Sequence, residues 1–190
     1  MYCDFFGFSE KPFTITPNPH FIFLSSIHRE AYARLLYGVD SHAGFIALTG
    51  EVGTGKTTLL RTLLTQLDPE KYRSALIFNS CVSAEQLLAS ICREFGVETE
   101  EQTRFGYLDA LNLFLIEQNG AGRTVLLVID EAQNLVPEVL EQVRMISNLE
   151  TEQDKLIQII LAGQPELNAV LKRHDPVSYT HLTLPTIYSV

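Results

Sequence analysis

Four short apolar runs divide the chain after residue 43, and a helical stretch separates each run from the next. The runs are FIALTG, ALIFNS, TVLLVID and LIQIILAG. Because they are almost continuously apolar instead of alternating, they are typical of parallel strands buried on both faces, with helices as the crossovers. The pattern therefore predicts an α/β fold with crossover helices at roughly 56–67, 84–95, 107–119 and 137–150.

The chain before the first apolar run follows a different pattern. KPFTITPNPHFIFL is rich in proline and aromatic residues, which favours an extended segment anchored to a domain surface. After it, SIHREAYARLLYGV has apolar residues at helical spacing and predicts a helix from Ser26 to near Gly38. We therefore assign residues 1–43 to an N-terminal segment and helix, and residues 44–176 to the core of the domain.

The turn between the first apolar run and the next helix fits the pattern G-x-x-x-x-G-K-[ST]. Its glycines let backbone amides turn inward around an anion, and the helix start adds partial positive charge. We expect Lys56 to neutralise the outer phosphates of a nucleotide and Thr57 to offer its hydroxyl to Mg²⁺, while Thr58 faces the α-phosphate or packs. The alternative is an ordinary glycine-rich turn. The residues predicted to contact the nucleotide in this phosphate loop are Gly50, Glu51, Val52, Gly53, Thr54, Gly55, Lys56, Thr57 and Thr58.

Two adjacent carboxylates, Asp130 and Glu131, follow the apolar run TVLLVI. Ligands of open α/β sheets gather at the carboxyl ends of the strands, so these side chains are candidates for the same site as the phosphate loop. Asp130 is the predicted holder of Mg²⁺, through water, together with Thr57. Glu131 is the predicted general base for the attacking water. The alternative for Glu131 is a solvated loop charge or a helix cap.

Gln164 follows the last apolar run, in LIQIILAGQPEL. If the strands of the phosphate loop and of Asp130 lie close together, Gln164 lies between them, near enough to sense the γ-phosphate. We therefore count it among the candidate catalytic residues, with Glu131 and Lys56. The competing interpretation is a turn residue before Pro165.

The composition narrows the classes of partner. With 14 basic and 23 acidic side chains the formal net charge is -9, which works against non-specific binding to nucleic acid, so a nucleic-acid partner needs a local basic patch. The three cysteines lack metal-ligand spacing and favour a reducing compartment. No signal peptide or membrane-spanning run is evident, so we expect a cytoplasmic location for this part of the protein.

These motifs, read with FFGFSEKPFTITPNPHFIFLSSIHREAYARLLYGV, LLVIDEAQNLVPEVLEQVRMISNLET and LAGQPEL, resemble the AAA+ ATPases of the ExeA, or general secretion pathway protein A, type. The resemblance implies a three-layer P-loop NTPase fold with an ASCE core and the strand order 5-1-4-3-2. It also implies ATP, in preference to GTP, and Mg²⁺ as ligands. By the same resemblance Lys56 and Thr57 bind ATP and Mg²⁺, and Gln164 is the first sensor.

The resemblance also bears on what surrounds the core. It implies that the segment around Pro17, Pro19 and Phe21 lies beside the adenine, and it makes Arg173 a candidate arginine finger. Family members continue into a fifth strand, a helical lid and often a membrane segment. We therefore expect the fifth strand and the lid to be missing or incomplete in this chain, and the full-length parent to be an oligomer associated with the inner membrane.

Residues 177–190, VSYTHLTLPTIYSV, abandon the helical periodicity of ELNAVLKRH. One back-translation of this tail reproduces a transposon-derived sequencing adapter, so we expect the tail to be foreign to the domain. The alternative is a natural β-rich tail that supplies the fifth strand, because it contains good strand formers.

The leading hypothesis for function is Mg²⁺-dependent ATP hydrolysis that powers the assembly of a secretion, export or cell-envelope system through protein partners. We expect this chain to hydrolyse ATP poorly compared with a lid-containing parent. The alternative is an ATP-switched regulator that binds DNA or protein, such as a transposition helper. A small-molecule kinase is disfavoured, because the arginines are scattered instead of forming a substrate-phosphate site.

Overall fold

A parallel β-sheet with helices on both faces forms the centre of the protein. The computed structural model describes residues 5–7, 24–78, 83–150, 155–173 and 187–189. In these ranges the helices are α1 (Ser26–Asp40), α2 (Lys56–Gln66), α3 (Ala84–Phe95), α4 (Arg104–Gly120), α5 (Pro137–Ser147) and α6 (Glu166–Arg173). The strands are β1 (Phe45–Thr49), β2 (Tyr72–Ile77), β3 (Thr124–Ile129), β4 (Ile157–Gly163) and β5 (Ile187–Ser189), and a 3₁₀ turn spans Ala132–Asn134.

The strand order is β2-β3-β4-β1-β5, and all neighbouring strands are parallel. β4 lies between β1 and β3, with Thr49 opposite Gly163 and Ile129 opposite Leu161. The phosphate loop, the acidic pair and Gln164 all follow the carboxyl ends of these three strands, so they share one edge of the sheet. The predicted α/β fold and the order 1-4-3-2 for its first four strands are confirmed.

β5 occupies the outer position beside β1, with Ala47 opposite Ile187 and Thr49 opposite Ser189. This three-residue strand lies within the tail that the sequence analysis expected to be foreign. Its position is the one that the alternative interpretation, a natural fifth strand, requires. The division of the chain at residues 43 and 176 stays a prediction.

Each face of the sheet packs against its own set of helices, and alternate residues of the buried strands enter opposite cores. On one side Leu126, Val128 and Ile160 pack with residues of α1 and α2. On the other side Leu127, Ile129 and Ile159 pack with residues of α3, α4 and α5. Because both faces are covered, nearly every position of β3 and β4 is buried, which explains their continuous apolar sequence.

Capping side chains determine where several helices begin. Ser25 accepts a hydrogen bond from the backbone N–H of His28 and starts α1. Ser83 and Gln86 form a reciprocal capping box at the start of α3. Thr103 caps α4, so this helix begins at Arg104 instead of the predicted residue 107.

The prediction of an anchored extended segment falls on residues 11–24, and all of these except Leu24 lie outside the described residues. Of the three cysteines, Cys92 is described, and its thiol is free and buried in the core. Burial raises the pKa of the Cys92 thiol to about 11. In the described ranges no group of three or more His, Cys, Asp and Glu side chains is arranged to hold a metal ion. None of the described helices combines the length and apolar composition needed to cross a membrane.

Candidate nucleotide site

The phosphate loop runs from the end of β1 at Thr49 to the start of α2 at Lys56. Gly53 and Gly55 have φ angles of 80° and 85°, in the left-handed region where residues with a Cβ are strained. Gly55 is the N-cap of α2, and no side chain caps this helix. The first N–H groups of a helix lack intrahelical acceptors, so the start of α2 can bind an anion.

Lys56 is a buried cation, with 7% of its surface exposed. Its Nζ donates to the backbone oxygens of Gly50 over 2.7 Å and of Glu51 over 2.9 Å. None of the ion pairs found in the described part of the chain involves Lys56. Two carbonyls use two of the three ammonium protons and bring no negative charge. Since a buried charge needs a counter-charge, the residues here fit an anionic ligand such as a phosphate.

His28 of α1 contacts the phosphate loop from outside. Its Nε2 lies 2.7 Å from the carbonyl oxygen of Thr54, and its Nδ1 lies 2.6 Å from Oγ of Ser25. A carbonyl only accepts, so Nε2 carries a proton and donates it to Thr54. A Cβ added to Gly55 would lie 3.3 Å from the same Nε2, which places the imidazole directly against the loop.

Asp130 links the acidic strand end to the phosphate loop. Its side chain is buried, with 2% exposed, and Oδ2 accepts a hydrogen bond from Oγ1 of Thr57 over 2.5 Å. Oδ1 accepts from the backbone N–H of Glu131 over 2.9 Å. Because Thr57 directs its proton at the carboxylate, the hydroxyl oxygen can offer a lone pair to a cation. A hydroxyl and a carboxylate are hard oxygen ligands, so this pair fits Mg²⁺.

Glu131 is the first residue after this contact and has an exposed side chain. Its φ of 54° is left-handed, which is uncommon for a residue with a Cβ and turns the chain sharply after Asp130. Oε2 of Glu131 accepts a hydrogen bond from Nε2 of Gln133 over 2.7 Å. The structure therefore directs the two adjacent carboxylates to different partners.

Gln164 follows β4, between the phosphate loop and the acidic strand end. The backbone N–H of Gly50 donates to the carbonyl of Gly163 over 3.2 Å, which joins the first residue of the loop to the end of β4. On the other side, the backbone N–H of Gln164 donates to Oε1 of Gln133 over 3.0 Å. The end of β4 thus contacts both halves of the candidate site.

The structure brings the candidate residues to one edge of the sheet, but their side chains do not all point inward. The side chains of Glu51 and Val52 are exposed, and the backbone oxygen of Glu51 accepts a hydrogen bond from Lys56. Thr54 donates its Oγ1 proton to the carbonyl of Glu51 over 2.9 Å, which closes the loop on itself. The backbone oxygen of Thr58 accepts from Oγ1 of Thr62. The roles assigned to these residues, including the sensor role of Gln164, stay predictions.

Two residues of this region have no role in the sequence analysis. His28 has no local signal, because its partner Thr54 is 26 residues away. Gln133 stands two residues after Glu131 in IDEAQNL, where a polar residue in a post-strand turn was a signal that could have been used. The segment around Pro17, Pro19 and Phe21, which the resemblance places beside the adenine, lies outside the described residues. The side chain of Arg173 lies outside them as well.

The fold and this arrangement of loop and carboxylates define the class of protein. The AAA domain family matches residues 39–171, which is most of the chain, and the chain belongs to that family. It is 46% identical over 174 residues to general secretion pathway protein A of Aeromonas hydrophila. That match covers 91% of this chain and 32% of the relative, so the chain spans about a third of the relative's length.

Solved structures with the same fold include archaeal Cdc6 and ORC proteins. The chain superposes on Cdc6p from Pyrobaculum aerophilum with a TM-score of 0.67 and 22% identity, over 88% of this chain and 46% of that one. It superposes on the ADP form of the ORC2 protein of Aeropyrum pernix with a TM-score of 0.66 and 18% identity, over 93% of this chain and 50% of that one. At these identities the similarity shows the fold alone.

Proposed function

We propose that this chain is the ATP-binding and ATP-hydrolysing core of an AAA+ ATPase. The observation that carries the proposal is the hydrogen bond from Thr57 to Asp130, which spans 73 positions of sequence. It joins the first turn of the phosphate-loop helix to the acidic end of β3. A loop that binds phosphate needs a metal-holding carboxylate within reach to become a hydrolytic site, and this contact supports that pairing.

The triphosphate would be held by the loop amides, the uncapped start of α2 and the ammonium group of Lys56. Lys56 supplies the positive charge, since its own contacts are to neutral carbonyls. Thr57 and Asp130 would hold Mg²⁺. The bound metal ion would neutralise charge on the β- and γ-phosphates when bond cleavage begins.

Glu131 would orient the attacking water and accept its proton, as a general base in reach of the γ-phosphate. Its exposed side chain at the sheet edge is compatible with contact to a water. Gln164, at the end of the strand between the two halves, would sense the γ-phosphate. Because the chain spans about a third of its relative's length, we expect slower cleavage by this chain than by a full-length parent.

The cellular role rests on the relative. General secretion pathway protein A is named for a secretion pathway, and we propose that the full-length parent of this chain likewise powers a secretion, export or envelope assembly through protein partners. We place the domain in the cytoplasm, where ATP is available, and expect the parent to act as a homo-oligomer. The net charge of -9 does not support DNA as the main partner.

The test measures binding and cleavage separately. The chain is titrated with a fluorescent ATP analogue, and single-turnover phosphate release is then followed with the chain in excess over ATP, with Mg²⁺ or with EDTA. We expect saturable binding and slow phosphate release that EDTA abolishes. GTP serves as the competing nucleotide and is expected to bind more weakly. Absence of binding at millimolar ATP would contradict the proposal.

A further inference from the structure

Gln133 lies in the 3₁₀ turn after β3, and its side-chain amide contacts two candidate catalytic elements at once. Nε2 donates to Oε2 of Glu131 over 2.7 Å, while Oε1 accepts the backbone N–H of Gln164 over 3.0 Å. The side chain therefore bridges the end of β3 to the end of β4. Nothing in the roles described above makes use of this bridge.

The orientation of the amide follows from the chemistry of its partners. A backbone N–H only donates, so the atom that faces Gln164 must be the amide oxygen. The carboxylate of Glu131 only accepts, so the atom that faces it must be the amide nitrogen. A flipped amide would place two donors together at Gln164 and two acceptors together at Glu131. Both contacts hold in one orientation only.

The end of β4 is shaped to receive this side chain. A Cβ added to Gly163 would lie 2.6 Å from Oε1 of Gln133 and 3.2 Å from its backbone nitrogen. Contacts under 3.0 Å require something to shift, so a residue larger than glycine would push the amide away from Gln164. The turn itself is anchored, because Ala132 is fully buried and the N–H of Asn134 donates to the carbonyl of Glu131 over 3.0 Å.

Glu131 has the property that makes such support useful. Its side chain is exposed and its backbone is in the left-handed conformation. A hydrogen bond to the anchored amide of Gln133 limits the positions of its carboxylate. General-base catalysis depends on position, and a displacement of about 1 Å can cost a large part of the rate.

We propose that Gln133 is a positioning residue for ATP cleavage, which holds the carboxylate of Glu131 in a fixed relation to the end of β4. This inference rests on the proposed function. β4 is in turn bonded to the first residue of the phosphate loop, through Gly163 and Gly50. Gln133 thereby links the candidate base to the strand whose end contacts the phosphate loop.

Two substitutions separate the two contacts. Gln133→Leu removes both hydrogen bonds at similar volume. Gln133→Glu keeps an oxygen acceptor for the N–H of Gln164 but cannot donate to Glu131, and it adds a like charge beside that carboxylate. Gln102→Leu is the matched control, since Gln102 is an exposed glutamine in the segment before α4.

Single-turnover ATP cleavage and ATP affinity are measured for each variant. We expect both Gln133 variants to cleave about tenfold more slowly while their Kd for ATP stays within about twofold of the wild type, because the residue acts on the water-activating group. The control should match the wild type in both measurements. Wild-type cleavage by Gln133→Leu, or an affinity loss as large as the rate loss, would overturn the proposal.

A double-mutant cycle shows whether the effect passes through Glu131. In a Glu131→Gln background the Gln133→Leu change should lower cleavage no further, since the group that it positions is gone. An equal rate loss in both backgrounds would mean a merely structural role and would overturn the inference. If Glu131→Gln alone cleaves at the wild-type rate, the proposed function itself fails, which is a different outcome.

A readout independent of turnover follows the Gln164 amide by hydrogen exchange. In Gln133→Leu this N–H loses its acceptor and should exchange faster than in the wild type, whereas Gln133→Glu should retain its protection. Unchanged protection in Gln133→Leu would show that the bridge to β4 is not formed in solution. That result would overturn the proposal whatever the rate of ATP cleavage.

Discussion

The two halves of the candidate site are held together in different ways. In the phosphate loop, the side chains of Lys56 and Thr54 bond to carbonyls at most six positions away. At the acidic strand end, Asp130 bonds to a residue 73 positions away and Gln133 to one 31 positions away. The loop is thus largely organised by local contacts, whereas the acidic end depends on the order of the strands.

This contrast predicts different failures for the two halves. Substitutions in the loop remove charge and backbone geometry that the nucleotide needs in order to bind. Substitutions at the acidic strand end leave that geometry in place and affect the cleavage of the bound nucleotide. Substitutions in the loop should therefore change affinity, and substitutions after β3 should change cleavage.

The largest effect on affinity is expected for Lys56→Ala. It removes the buried ammonium group, and charge-assisted hydrogen bonds of this kind are worth about 1.5–3 kcal/mol each, so affinity should fall by about 100-fold or more. Titration with a fluorescent ATP analogue measures it. Lys71→Ala is the control, because Lys71 is an exposed lysine before β2. Unaltered affinity in Lys56→Ala would contradict the assignment of this loop as the phosphate-binding site.

Glu131→Gln should affect cleavage alone. A general base contributes about 10²- to 10⁴-fold, so phosphate release should fall by that factor while ATP stays bound. The comparison is best made in the full-length parent, where we expect faster turnover. Glu138→Gln, at an exposed position in the first turn of α5, is the matched control. Normal phosphate release would take the base role away from Glu131.

His28→Ala tests a loop contact that is not local. It removes a hydrogen bond to Thr54 that is worth about 1 kcal/mol, so the Kd for ATP should rise by about fivefold. Arg29→Ala changes the exposed neighbour on α1 and should leave the Kd unchanged. If His28→Ala changed cleavage but not affinity, the assignment of affinity to the loop and of cleavage to the acidic strand end would be contradicted.

The smallest effect is expected from deleting residues 177–190. If this tail is foreign to the domain, nucleotide affinity should not change, although residues 187–189 pair with β1. A clear loss of affinity or of the free energy of unfolding would mean that β5 is a natural part of the sheet, because its removal would expose the β1 edge. Fluorescence titration and urea unfolding of the two chains measure both quantities.

Much of this architecture was determined by the sequence itself. The continuous apolar runs that became β1, β3 and β4 predicted a parallel sheet, because strands covered on both faces carry such runs. The phosphate loop was recognisable because its requirements are met by neighbouring residues. Gly53 and Gly55 allow a left-handed backbone, and Lys56 supplies the ammonium group. A structural requirement that is met within a few residues can be predicted from the sequence of those residues.

The tertiary structure alone decided how distant residues meet. A shared Mg²⁺ site for Thr57 and Asp130 was predicted, but their direct hydrogen bond requires β3 and β1 to lie on either side of β4. An apolar run does not specify its neighbours in a sheet, and the expected strand order came from the family resemblance alone. The contacts of His28 with the loop and of Gln133 with Gln164 depend in the same way on packing between elements. Hydrogen bonds between residues far apart in the chain leave no periodicity or spacing in the sequence, so they become visible only once the strands are placed side by side.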